Sequence, residues 1–319
     1  MGTARYAERF PEFRAAGFYR EVRGLTVSSL GLGTYLNASE DALLAAAEHG
    51  INFWDTAINY REQQSERDIG TALRQLDRDE FVICTKAGFL TKGAVPDFLE
   101  RGDVVGGMHS VSPDFLADQI DRSRANLGID TIDVFYIHNP ETQLGFRTRE
   151  EFEARVRPAF AHLERMVERG KIRWYGAATW DGFRKKDALS LPVLAQIALE
   201  EGGPDHHFRF IQLPFNLAMV EAYIDRPESV LQAAARLGIT VVASASLAQT
   251  QVLANMPEPV QRKLPGLGSD AQRAIQFTRS TPGISVALAG MGQRQHVLDN
   301  VGVARVRPAT PEEYQQLYR

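Results

Sequence analysis

Eight short apolar runs rich in β-branched and aromatic residues punctuate the chain, at 27–35, 51–56, 81–86, 133–138, 172–178, 209–215, 239–246 and 284–290. Runs of this length and composition, bounded by turn residues, read as buried strands. Segments with helical periodicity separate most of them. Residues 39–50 open on Ser39 and close on Gly50: a serine hydroxyl caps first-turn amides, and glycine tolerates the left-handed geometry of a helix end. Residues 65–76 open in the same way on Ser65. Ser112-Pro113 places proline in the first turn of a helix running to Leu127-Gly128, where its missing N–H costs nothing. Further helices are predicted over roughly 151–169, 191–201, 227–237, 269–280 and 293–300.

Strand and helix alternate eight times, which predicts an α/β fold built as a single (β/α)8 TIM barrel over residues 1–319. No composition shift or low-complexity linker divides the chain into domains. A doubly wound dinucleotide fold would require Gly-x-Gly-x-x-Gly after its first strand. Gly31-Leu32-Gly33 is instead followed by Tyr35 and Leu36, so the fingerprint is incomplete. Two additions to a minimal barrel are expected. Residues 16–26 read as an N-terminal β-hairpin plugging the barrel floor. Residues 87–112, rich in glycine and containing Pro96, form a long loop after the third strand, a length that marks a functional loop. On the C-terminal face it would overhang the site and set substrate specificity.

Composition narrows the classes. With 44% hydrophobic and 24% charged residues the 319-residue chain is ordinary for a globular protein, and its net charge of −4 gives no reason to expect nucleic acid or an anionic membrane as partner. The lone Cys84 excludes an intramolecular disulfide and reads as a small core residue. There is no basic N-terminal region followed by an apolar stretch, and no apolar run of membrane-spanning length, so a cytoplasmic protein is expected. Asp205-His206-His207 reads as a loop after Gly202-Gly203-Pro204 rather than a metal site, because no third and fourth ligands lie nearby.

The chemistry concentrates at strand ends. Asp55, Lys86 and His138 close three successive runs, and Tyr60 follows the first by five positions. Singly, each has a bland reading: a turn cap, a surface charge, a core histidine, a rim aromatic. Together they place an acid, a base and a proton donor at one end of consecutive strands, where barrels build active sites. A tyrosine phenol titrates near pH ~10; a neighbouring Lys86 ammonium would favour its phenolate. Asp55 would pair with Lys86, and His138 would hydrogen-bond a substrate oxygen. The set fits proton transfer to or from an oxygen bonded to carbon. Nucleophilic catalysis is not expected, since no serine or cysteine sits with a base at these ends.

Here the chain resembles a family. Asp55-Thr56-Ala57 with Tyr60, then Ser65-Glu66, Thr85-Lys86 and Ile137-His138, is similar to the aldo-keto reductase pattern. The similarity continues through Gly24-Leu25, Ser29-Leu30-Gly31-Leu32-Gly33-Thr34, Gly170-Lys171-Ile172-Arg173-Trp174-Tyr175-Gly176, Gln212 with Phe215-Asn216, and Gly290-Met291 on to Asn300. The resemblance implies a barrel that binds NADP(H) or NAD(H) extended, without a metal. It implies hydride transfer between nicotinamide C4 and the carbon of an aldehyde or ketone, or of the corresponding alcohol or sugar lactol. Tyr60 would be the general acid or base, Lys86 its modulator, Asp55 the partner of Lys86, and His138 the orienter. Cofactor contacts would fall to Gly33, Thr34, Asp55, Ala178, Thr179, Gln212, Ser244, Leu247, Gln249, Gly290, Met291, Gly292, Arg294, His296 and Asn300. Trp54, Phe89 and Trp180 are the expected substrate-pocket walls. The partner would be a small molecule, and the protein a monomer or small homo-oligomer.

The chain departs from the pattern in three places. Ala178-Thr179 stands where the family presents Ser-Asn to the carboxamide, and Ser244 where an aromatic stacks on the nicotinamide. A lost hydrogen bond and a lost ring contact would weaken cofactor binding roughly tenfold to a few hundredfold. Near the expected 2′-phosphate site Gly292 stands where many relatives have a basic or hydroxyl residue and His296 where they often have a basic one, leaving Arg294 as the fixed cation. The choice between NADPH and NADH stays open, with NADH more favoured than in an average member. Finally, Arg61-Glu62-Gln63-Gln64 makes the turn after Tyr60 two residues longer, which would displace Tyr60 or reshape the rim. A cofactor-binding sensor or scaffold with little turnover is the alternative the altered contacts suggest. A metal-dependent barrel hydrolase or lyase would need ligands at the strand ends past His138, which show none.

Overall fold

The structure is a computed structural model describing residues 2–185, 188–225, 227–253 and 256–318. An antiparallel hairpin, β1 (Tyr19–Val22) and β2 (Leu25–Ser28), precedes the barrel. The barrel strands are β3 (Leu30–Gly33), β4 (Phe53–Asp55), β5 (Val82–Ala87), β8 (Ile132–His138), β9 (Ile172–Ala178), β10 (Phe208–Pro214), β11 (Thr240–Ser244) and β12 (Ile284–Gly290). They close in that order, every pair parallel, with β12 returning to β3. This is the predicted (β/α)8 barrel. The predicted long loop carries a two-stranded ribbon, β6 (Val104–Val105) and β7 (His109–Ser110).

Strands β5 and β8 are buried at every residue, as expected where a parallel barrel faces side chains within and helices without. Alternation sorts the two faces. Val82 and Cys84, Val134 and Tyr136, Phe210, Val242 and Val286 form an inner cluster. Trp54, Ile83, Phe135, Ile137 and Ile211 join the outer core with the helices. On β3 the inner position is Gly31, where an added Cβ would come within 2.6 Å of Leu288 and 2.9 Å of Val286.

The hairpin closes the floor. Val22, Leu25 and Val27 complete the inner cluster, while Asn52 accepts from Ser28 N at 2.8 Å and donates to Thr26 O and Glu80 O at 3.0 and 3.2 Å. The run read as one strand over 27–35 therefore breaks in two. Ser28 ends the hairpin and Leu30 begins the barrel, with the Ser28 hydroxyl donating to Leu30 O at the corner. An unbroken apolar pattern does not register a corner that is buried on both sides.

Ser39 caps its helix (Glu40–Glu48) through Ala42 N, and the helix Pro113–Leu127 ends on Gly128 at φ 65°. Ser65 is not a cap. Its helix is Gln64–Leu73, it begins from a left-handed Gln63, and the Ser65 hydroxyl donates to Thr34 O at 3.1 Å. Short helices at Gly2–Glu8, Pro11–Ala15 and Pro311–Gln315 flank the barrel. Among the described residues no helix is long and apolar enough to cross a membrane.

Candidate active site

Alternation also decides what points into the mouth. Asp55 shares the inner face with Phe53, Lys86 with Cys84, His138 with Tyr136, and Gln212 with Phe210. All four lie at the C-terminal ends of their strands, so they converge. Lys86 Nζ donates to Asp55 Oδ1 and to Thr56 O, each at 2.6 Å, and to the Tyr60 hydroxyl at 3.4 Å. The second Asp55 oxygen accepts from Gln212 Nε2 at 2.7 Å. His138 Nδ1 lies 3.1 Å from Asn59 Oδ1, and its ring stands edge-on to Tyr60 and to Phe89, 5.8 and 5.2 Å between centroids. Tyr35, on the loop after β3, presents its ring edge-on to Tyr60 at 5.1 Å. The turn after Tyr60 is left-handed at Arg61, Glu62 and Gln63, and the Tyr60 hydroxyl lies within reach of Lys86.

Burial dominates the electrostatics. It pushes the Asp55 carboxyl up, while Lys86 and the Gln212 amide pull it back. It disfavours the Lys86 ammonium, but Asp55 and Tyr60 outweigh it and Lys86 stays charged. For Tyr60 burial raises the phenol above its usual range and Lys86 draws it down; the net direction is up, opposite to the sequence expectation. A neighbouring ammonium lowers a phenol only as far as desolvation allows. His138 is held neutral by burial, with Lys86 and His109 adding to the effect.

The other expected contacts divide. Gly33, Ala178, Ser244 and Gly290 end barrel strands on the inner face. Thr34 directs both its N–H and its hydroxyl to Asp55 O, each at 3.1 Å, and Thr179 N–H donates to Gln212 O at 2.8 Å. Leu247 packs against the core, Met291 is buried within the outer core, and Asn300 is buried. His296 is exposed, and the Gln249 side chain lies outside the described residues. A Cβ at Gly292 would come within 2.3 Å of Asn37 Oδ1. Arg294 is no free cation: it pairs with Asp41 at 3.3 Å and Glu48 at 3.0 Å. Phe89 stands at the site and Trp180 is half-exposed on the turn after β9. Trp54 does not reach it. One residue out of phase with Asp55, its ring packs on Phe81 and its Nε1 donates to Ile51 O. Among the described residues no three His, Cys, Asp or Glu are grouped to hold a metal, and His207 pairs with Glu164.

Two further residues, absent from the sequence-predicted set, support the site. His109, fully buried on β7, donates from Nε2 to His138 O at 2.8 Å and faces Gln143 Nε2 through Nδ1 at 2.9 Å. Glu141 accepts from the N–H groups of Trp180, Asp181 and Gly182 at 2.8, 3.0 and 3.1 Å through one oxygen, fixing the turn after β9. A histidine and an acid inside glycine-rich or turn segments were the available signals, but nothing in the sequence named their partners.

Residues 29–266 match the model of the Aldo/keto reductase family. The NADH-specific methylglyoxal reductase of Escherichia coli is 30% identical over 178 residues, covering 52% of each chain. The D-threo-aldose 1-dehydrogenase of a Pseudomonas species is 31% identical over 192 residues, covering 53% of this chain and 54% of the relative. The chain thus spans about half the length of these curated relatives. An aldo-keto reductase from Bacillus halodurans in its holo form superposes with a TM-score of 0.68 at 22% identity, covering 94% of this chain and 95% of that one.

Proposed function

The chain belongs to the aldo/keto reductase family, and from that membership we propose that it is an NAD(P)-dependent oxidoreductase acting on a small carbonyl compound or the corresponding alcohol or lactol. The observation that carries the proposal is the buried triad of contacts at Lys86: Asp55 at 2.6 Å, Thr56 O at 2.6 Å and the Tyr60 hydroxyl at 3.4 Å. The activities of the relatives make small oxoaldehydes and aldose lactols the first substrates to assay.

The residues present fit a nicotinamide cofactor. Gln212 spends its N–H on Asp55 and keeps its carbonyl oxygen for a carboxamide. Ser246 Oγ, in the turn after β11, is buried without a partner, a donor that a bound ligand would satisfy. When bound, the nicotinamide supplies or takes the hydride. The chain's own groups handle the proton. In reduction Tyr60 gives its hydroxyl proton to the carbonyl oxygen as that oxygen gains charge, leaving a phenolate; in oxidation the phenolate takes the proton back. The raised pKa of Tyr60 keeps the phenol protonated as the acid of the reductive direction. Lys86 stabilises the phenolate, and Asp55 and Gln212 keep the ammonium charged and in place. His138, neutral and fixed beside Asn59, orients the substrate oxygen.

Tyr60→Phe tests the reading. Cofactor binding, followed by fluorescence, is expected to persist while turnover falls by about 10²–10⁴. Undiminished turnover overturns the mechanism. Cofactor binding by the unaltered protein with no turnover across aldehydes, ketones and sugars would instead favour the sensor reading.

A further inference from the structure

Immediately after Tyr60 the backbone turns left-handed for three residues in a row. Arg61, Glu62 and Gln63 have φ of 51°, 52° and 75°. L-residues visit this region singly, because Cβ is driven toward the following carbonyl oxygen, and such strain persists only where the surroundings over-determine it. The turn closes locally through Gln64 N–H to Arg61 O at 3.1 Å and Ser65 N–H to Tyr60 O at 3.4 Å. These two bonds do not by themselves select the left-handed form.

The side chains show what does. Arg61 pairs with Asp68 and Glu62 with Lys92, but both pairs lie on the surface, where ion pairs contribute little. Gln63 is different, at 7% exposure. Its Nε2 donates to Lys92 O at 3.2 Å, on the loop after β5, and its Oε1 accepts from Asn126 Nδ2 at 3.2 Å, on the helix Pro113–Leu127. Asn126 also donates to Glu66 Oε2 at 2.8 Å, and Glu66 Oε1 accepts from the hydroxyl of Thr85, the neighbour of Lys86. The turn is thus tied through buried and partly buried polar groups to the strand that carries Lys86. The Tyr60 hydroxyl meets Lys86 Nζ at 3.4 Å, the long end of the hydrogen-bond range, so a small shift of the turn would part them.

We propose that Gln63 is a positioning residue: by bridging the loop after β5 and the helix Pro113–Leu127 it holds the left-handed turn, and through it sets the Tyr60 hydroxyl against Lys86. The inference rests on the reading of Tyr60 as the acid–base group. It also gives the two extra residues of this turn a purpose.

The test is the pH profile of kcat for carbonyl reduction in Gln63→Leu, which keeps the volume and removes both hydrogen bonds. With the phenol drawn away from the ammonium, the limb governed by Tyr60 is expected to move to higher pH by about one unit, with kcat at neutral pH changed and the Kd for NADH unchanged. Glu62→Gly, which accepts the left-handed φ without a Cβ, is expected to raise Tm and leave the limb in place. Where Gln63→Leu alone fails to fold, the double variant Glu62→Gly/Gln63→Leu carries the same readout. An unmoved limb, with kcat following only the folded fraction, overturns the proposal. Tyr60→Phe run alongside separates the readings: full turnover there overturns the acid–base role and this inference together. Lost turnover in Tyr60→Phe beside an unmoved limb in the Gln63 variant overturns this inference alone.

Discussion

Gln212 donates its side-chain amide to the Asp55 carboxylate at 2.7 Å, joining β10 to β4 across the barrel mouth. Asp55 thereby has both oxygens engaged, one by Lys86 and one by Gln212. A buried ion pair holds only when its remaining lone pairs are satisfied. Gln212→Leu is expected to lower unfolding stability by about 1–3 kcal/mol and to weaken NADH binding. Urea unfolding and a fluorescence titration check it; parental values in both would show that the amide supports neither.

Lys86 and Asp55 are almost wholly buried, so removing one partner strands the other. Lys86→Met should destabilise the fold by about 3–5 kcal/mol, whereas Lys86→Met/Asp55→Asn should recover most of that loss. Neither variant is expected to turn over substrate. A double variant no more stable than the single one would contradict the pairing.

His109 carries a pH dependence with a definite sign. Burial holds its pKa at about 4, against 6.5 for an ordinary histidine. Below pH 6.5 the unfolded chain takes up a proton that the folded chain refuses until about pH 4, so stability falls as pH drops through that window. From pH 6.5 to 5 the loss is roughly 2 kcal/mol. His138, pushed in the same direction, adds to it. Unfolding midpoints at pH 7 and 5 should converge in His109→Gln relative to the parent; an identical pH dependence in both would remove His109 as the cause.

Arg294 is the cation expected from the sequence to meet a 2′-phosphate, yet its guanidinium already faces Asp41 and Glu48. A second anion would have to compete with these carboxylates. NADH is therefore expected to bind at least as tightly as NADPH. Asp41→Asn/Glu48→Gln should shift the ratio toward NADPH, most visibly at low salt. Competitive titration with the two nucleotides measures it, and a strong NADPH preference in the unaltered protein would reject the argument.

Much of the fold is legible in the sequence. The eight barrel strands appear where apolar runs predicted them, because burial on both faces leaves a continuous local signature. Asp55, Lys86 and His138 stand out in the sequence because each terminates such a run. The corner at Ser28–Leu30 does not, since the chain turns there without leaving the core. Trp54, an expected pocket wall, faces away from the site, because adjacent strand residues point to opposite sides.

The sequence by itself determined the strand and helix alternation and marked the candidate acid–base residues, both of which are written in neighbouring positions. Tertiary structure alone decided what those residues meet. It brought Gln212 to Asp55 across 157 positions, Gln63 to Asn126 across 63, and Arg294 to Glu48 across 246. It also set the direction of the Tyr60 shift. Contacts of this kind and the cost of burying charge arise only when the barrel closes, which is why no local pattern records them.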